Sequence, residues 1–304
     1  MPNLLSFANI GDGTSKEITV STSGLITGFL FTTLYPVILA LIWIKFYNGK
    51  IKITLIGVGG FMSAIILELL FLRLIIVSLF GDNSIPFYII GGICPGLFEE
   101  TARFLFFFAL LKKEKNKNIS VSYGIGHGGI ESALIGLNML AILFLKDQLK
   151  EDVTFSICII NCCERLIAVI YHISASVVVY KSVKEKKIYF YIFAIVYHDL
   201  VDLFPLLYQI EVITNILFVE LIFAIFTICI SIFAYLLYNK LEDENPGEIQ
   251  PILECDNNGN PTENNNVTPS DNNGIPKTNN EVPITNDSVP TSNDAIPINN
   301  SEDV

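Results

Sequence analysis

Long apolar runs, broken only by short charged clusters, set the pattern of this chain. Seven segments are mainly apolar, at 24–44, 53–80, 86–111, 119–145, 153–180, 188–210 and 212–238. A helix crossing a bilayer core takes roughly 20 such residues. The pattern predicts an all-α fold, a polytopic membrane helical bundle of about seven transmembrane helices. Several runs exceed 23 residues, which predicts tilt or interfacial ends. The short link near Glu211 predicts that the last two spans form a helical hairpin. The first 23 residues lack a basic segment and the run that follows is long, so it is read as a retained helix and not a cleaved signal peptide.

Past Asn239 the pattern stops and the chain turns polar. Residues 1–238 carry 17 acidic and 17 basic side chains, while 239–304 carry 13 acidic and 2 basic ones. The net charge of −11 therefore belongs to the tail and says nothing about a ligand surface. The tail is rich in Asn, Asp, Pro, Ser and Thr, with Pro269, Pro276, Pro283, Pro290 and Pro297 at seven-residue intervals. It has too little apolar surface to offset the entropy of ordering, and is read as disordered. The expected organisation is a short extracytoplasmic N-terminus (1–23), a membrane domain (24–238) and a cytosolic tail (239–304). No basic stripe with interleaved aromatics occurs, which excludes nucleic acid as a partner. The bilayer itself is the expected partner.

Lysines set the orientation. Those at 45–52, 112–118, 181–187 and Lys240 number twelve, against Lys16, Lys146 and Lys150 on the other side. By the positive-inside rule the N-terminus lies outside and the C-terminus in the cytosol, in a bacterial-type cell membrane.

Ionisable groups inside the spans carry the candidate chemistry. A charge at mid-bilayer costs ~2.5–3.5 kcal/mol on insertion scales, so such groups must face one another or water. They are Glu68, Arg73, Glu99, Glu100, Arg103, His127, Glu131, Glu164, Arg165, His172, His198, Asp199, Asp202 and Glu220. All three histidines of the chain are among them, each on a different span. Counted from the lysine-rich ends, Glu99, Glu100, His127, His172 and His198 share one level, roughly 12–18 Å deep at 1.5 Å per residue. One site in the cytosolic half is expected. Glu99 with Arg103, His127 with Glu131, His198 with Asp202 and His172 with Ser176 are spaced to share helix faces. An arginine beside two glutamates can keep one ionised while the other carries a proton. Pro95 and Pro205 break helical hydrogen bonds near these charges, and Gly124, Gly126, Gly128 and Gly129 surround His127. Buried ion pairs also simply join helices. Glu68, Arg73 and Glu220 are read that way, as is the Glu164–Arg165 pair.

At these residues the chain resembles the YhfC-type membrane peptidases. The resemblance rests on Gly96-Leu-Phe-Glu99-Glu100-Thr-Ala-Arg103, Gly124-Ile-Gly126-His127-Gly128-Gly129-Ile-Glu131, Glu164-Arg165 with His172, and His198-Asp-Leu-Val-Asp202. That family is grouped with glutamic-type intramembrane proteases, including type II CAAX prenyl proteases, bacteriocin-processing enzymes and PrsW-like proteases. Their pattern has an arginine three residues beyond a Glu-Glu pair; here Arg103 follows after two, a shift of ~100° around the helix.

The resemblance implies an intramembrane peptidase acting on a membrane-protein or lipidated-peptide substrate. Glu99 would activate water with Glu100 assisting, Arg103 would hold the glutamates, and His127 would position the water or stabilise the oxyanion. His198 and Asp202 would complete the oxyanion site, with Glu131 in the same cluster and Glu164, Arg165 and His172 in support. No cofactor is predicted, since no HExxH occurs, but His127, His172 and His198 with a glutamate have the chemistry of a zinc site with one open position. Two other classes fit buried acids and histidines: a proton- or ion-coupled transporter, and a non-catalytic peptidase-like binding or immunity protein.

Overall fold

The computed structural model describes residues 18–241 apart from Asn83, Lys150 and Glu151. The expected extracytoplasmic segment up to residue 17 and the expected tail from residue 242 onward lie outside the described residues.

Among the described residues seven long helices run in sequence, each satisfying its own backbone hydrogen bonds, as a chain crossing hydrocarbon must. They are α1 (Thr22–Tyr47), α2 (Ile51–Phe80), α3 (Ile85–Leu105), α4 (Asn118–Phe144), α5 (Phe155–Glu185), α6 (Ile188–Gln209) and α7 (Ile216–Asn239). A π-helical turn at Leu72–Ile76 interrupts α2, and another at Phe106–Leu110 extends α3. All but α3 are long and apolar enough to span a membrane, and α3 is the helix that carries Glu99, Glu100 and Arg103. Leucine, isoleucine and phenylalanine side chains remain exposed over much of the outer surface, as lipid contact allows. The protein is an integral membrane protein built as a helical bundle.

Caps mark where helices begin. Ser21 Oγ accepts from Gly24 N (3.1 Å), Ser84 Oγ from Phe87 N (3.2 Å), Thr154 Oγ1 from Ile157 N (3.3 Å), and Asn215 Oδ1 from Leu217 N (3.0 Å). Each satisfies a donor that the first turn leaves open. Helices α1 and α5 end on Asn48 and Lys186 in the left-handed region, where the turning chain breaks the helical repeat. Between α4 and α5, a single parallel bridge joins Val20 to Val153 and ties the start of α1 to the start of α5.

Helix α4 lies at the centre, packed against α1, α2 and α5. Its glycines permit this. A Cβ on Gly126 would run into the Thr54 backbone of α2, and one on Gly128 would lie 3.0 Å from His172 Cβ and 3.1 Å from Val169 Cα of α5. Backbones approach this closely only where side chains are missing. Helix α5 is buried over much of its length and takes α7 against its other side, while α6 packs chiefly on α3. The last two helices are joined by a short link with Glu211 at φ 61°, but each makes its main contact elsewhere. The expected hairpin is therefore present in connection rather than in packing.

Candidate functional site

Helices α3, α4, α5 and α6 each send ionisable side chains to one buried level. Glu99, Glu100 and Arg103 come from α3, His127 and Glu131 from α4, His172 from α5 and His198 from α6, and all are buried. Phe61 of α2 packs edge-on against His127 at 5.2 Å. The imidazoles stand close, with ring centres 5.0 Å apart for His127 and His172 and 5.8 Å for His172 and His198. Helical periodicity gave the depth of these groups, and the packing of α4 on α5 and of α6 on α3 supplies the lateral approach.

Two ionic chains meet at His172. In the first, the Arg103 guanidinium donates through Nη1 to Glu100 Oε1 and through Nη2 to His172 Nδ1 (3.0 Å). The same Glu100 oxygen accepts from His198 Nδ1 (2.9 Å), whose Nε2 lies 3.6 Å from Asp202 Oδ2. In the second chain, Arg165 donates to Glu131 Oε1 (2.5 Å) and to Glu164, and Glu131 Oε2 lies 2.5 Å from His172 Nε2. Arg103 thus engages Glu100, three residues back, rather than Glu99, which is one helical turn away on the same face.

Glu99 is left for the histidines. Its Oε2 lies 3.0 Å from His127 Nε2 and 3.8 Å from His172 Nδ1. These three ligand atoms lie within 4.8 Å of one another. One carboxylate oxygen with two imidazole nitrogens is a donor set that binds hydrolytic zinc and leaves a coordination position open. Glu131 behind the second nitrogen of His172 is the kind of contact that orients a ligating imidazole. The donor set therefore fits a zinc ion. Of the set expected from the sequence, three histidines with a glutamate, it lacks His198, which turns to Glu100 and Asp202.

A cavity of about 290 Å³ leads away from this level. Glu99, Glu131, His172, His198 and Asp202 line its inner part. Arg73, Phe87 and Gln209 line it near the helix ends flanking the 81–84 and 210–215 links. Pro95 and Pro205 also lie on its wall, where the missing helical donors leave room beside the charges. Glu68 and Glu220, read from the sequence as joining helices, face this space, and among the described residues neither makes a hydrogen bond or ion pair. Arg73 pairs instead with the exposed Asp82 at 3.3 Å. Glu164 and Arg165 serve both readings, since their pair fixes Glu131 and also borders the cavity. Tyr171 lines the cavity as well. The sequence patterns passed over it because a tyrosine in an apolar helix reads as core; its place just before His172 was the available signal.

The fold and this site define a membrane-embedded helical protein with a buried glutamate–histidine cluster suited to a metal. The model of the YhfC intramembrane metalloprotease family matches residues 31–152 and 138–223, and the chain belongs to that family. It is also 26% identical over 163 residues to "Uncharacterized membrane protein YhfC" of Bacillus subtilis (strain 168). That match covers 45% of this chain and 63% of the relative, so the chain spans under two thirds of that protein's length. No solved structure matches.

Proposed function

We propose that the protein is a peptidase that hydrolyses a peptide bond of a membrane-protein segment or lipidated peptide admitted to the cavity, with Glu99, His127 and His172 holding a zinc ion. One observation carries the proposal: the three ligand atoms converge within 4.8 Å, with Glu99 and His172 on the inner wall of the cavity and His127 buried just behind, at a depth where isolated charges are costly. The family's name supports the same chemistry. Bound zinc would polarise the scissile carbonyl and ease deprotonation of its water.

The chain's own groups do the rest. Glu131 fixes His172 from behind, and Arg165 and Glu164 fix Glu131. Glu100, held by Arg103, accepts the Nδ1 proton of His198 and so leaves Nε2 facing the cavity. From there His198 takes the proton of the attacking water and returns it to the leaving amine, with Asp202 steadying the charged imidazole. The buried walls keep bulk water from the reacting groups. In the lysine-based orientation the cavity opens toward the outer face.

A second reading, metal-free, has Glu99 itself as the base with His127 positioning the water. It is favoured by the 3.0 Å contact of Arg103 Nη2 with His172 Nδ1, since a guanidinium occupies the nitrogen a metal would take. Purified protein is offered a library of transmembrane and lipidated peptides, fragments are read by mass spectrometry, and metal content is measured on the same sample. Cleavage lost in both Glu99→Gln and His127→Ala, with one zinc per chain whose chelation stops turnover, is expected. Turnover that survives complete chelation selects the metal-free reading, and equal cleavage by Glu99→Gln refutes both.

A further inference from the structure

Several tyrosines at helix interfaces of this bundle have found partners. Tyr35 donates to the Arg165 carbonyl (2.6 Å), Tyr197 to the Phe226 carbonyl (2.7 Å), and Tyr191 shares a hydrogen bond with Thr101 (2.7 Å). Tyr171 differs. It is 2% exposed, and its hydroxyl is buried with no hydrogen-bond partner among the described residues; Tyr123 shares that lack, but of the two only Tyr171 lines the cavity. A buried hydroxyl without a partner is a net cost to the fold, which needs a reason.

Its surroundings supply one. Tyr171 lies on the wall of the cavity that holds Glu99, His172, His198 and Asp202. Its ring packs edge-on against His198 at 5.1 Å and against His172 at 5.4 Å, and Phe223 of α7 closes the far side at 6.4 Å. The ring is thus clamped between two site histidines and a neighbouring helix, and cannot swing away without disturbing them. A phenol O–H in such a place is a fixed neutral donor in a water-poor site. Hydrolysis of a peptide needs a donor of this kind where the carbonyl oxygen becomes an oxyanion, and a preorganised donor there is worth more in the tetrahedral state than in the ground state.

We propose that Tyr171 is a further catalytic residue, whose hydroxyl donates to the oxyanion formed when water adds to the scissile carbonyl. The O–H stays intact through the step. Water's oxygen bonds to the carbonyl carbon, the carbonyl electron pair moves onto oxygen, and the Tyr171 donor binds that oxygen until the C–N bond breaks and the carbonyl re-forms. The proposal rests on the peptidase reading and holds with either zinc or Glu99 activating the water. It assigns to α5 a donor where the family resemblance implied donors on α4 and α6.

Tyr171→Phe removes one oxygen and leaves the ring packing. With a peptide that wild type cleaves, kcat is expected to fall about 10²–10³-fold, the cost of losing one oxyanion donor, with KM nearly unchanged. Thermal unfolding, which does not depend on turnover, is expected to be unchanged or later, because an unpartnered hydroxyl has been removed. Thr227→Val serves as the control: its hydroxyl is also buried and unpartnered but lies away from the cavity, and it should leave kcat alone. Wild-type kcat in Tyr171→Phe, or a change confined to KM, overturns the proposal while leaving the peptidase reading standing. A clear drop in melting temperature overturns it too, by giving the hydroxyl a structural partner. A wild type that cleaves nothing in the library removes the peptidase reading, and the oxyanion role falls with it.

Discussion

Replacing Glu131 by Gln tests the junction on which the site depends. Glu131 holds Arg165 through Oε1 and stands 2.5 Å from His172 Nε2 through Oε2, so one carboxylate fixes both a buried cation and a site imidazole. The amide keeps the shape and loses the charge. Stripping a buried cation of its only partner costs about 3–5 kcal/mol, but Arg165 retains Glu164 and should lose only part of this. The larger effect falls on His172, whose second nitrogen no longer faces an anion. Loss of such outer contacts typically weakens metal binding 10–100-fold, or about 1.4–2.7 kcal/mol. Zinc affinity measured in detergent against a chromophoric chelator should fall within that range, and helicity by circular dichroism should be retained. Affinity equal to wild type, in a variant that still binds zinc, would show that Glu131 does not orient His172 and that the second ionic chain serves packing alone.

Other outcomes follow from the same geometry. Arg103→Met leaves Glu100 with His198 as its sole partner and should lower stability by about 3–5 kcal/mol, the cost of a broken buried pair; an unfolding midpoint within 2 °C of wild type would contradict it, because a deficit of ~1 kcal/mol already moves the midpoint by roughly 2–4 °C in chains of this size. Gly126→Val drives a branched side chain into the Thr54 backbone and should separate α4 from α2, lowering both expression and melting temperature, whereas free tolerance in thermal melts would mean the two backbones are not in close contact. For topology, Lys115→Cys should react with a membrane-impermeant maleimide only after permeabilisation and Gln148→Cys before it; the reverse labelling would invert the lysine-based orientation.

The number and order of the helices were legible because a membrane helix must be long, apolar and self-bonded, so each apolar run reports one element. The common depth of Glu99, His127, His172 and His198 was legible for a related reason: the rise per residue converts distance from a lysine-rich end into height. Rotation and neighbours were not. Arg103 could reach either glutamate by spacing, and the structure sends it to Glu100, where His198 also arrives from α6. Glu131 could be grouped with His127 on its own helix, but its partners are His172 and Arg165 on α5. These choices depend on which helices touch, and no local pattern says that α6 packs on α3 or that α7 packs on α5. The absence of His198 from the metal-suited set has the same origin.

The ionic chains also separate structural from chemical roles. Were all the span charges simply joining helices, each would end in a partner of opposite sign, because an unpaired charge in hydrocarbon is expensive. Arg165 meets that expectation with two carboxylates, and Arg103 meets it with Glu100. Glu99 does not: its nearest groups are two imidazoles, which lend it a countercharge only when protonated or when a cation sits among them. Glu68 and Glu220, on α2 and α7, have no partner at all among the described residues and face the cavity instead. The unpaired carboxylates thus share one cavity, and the arginines that border it, Arg73 and Arg165, are held by Asp82 and by Glu131 and Glu164 rather than by these acids. Glue between helices would have no need of that arrangement, whereas the proposed peptidase needs carboxylates left free beside its histidines.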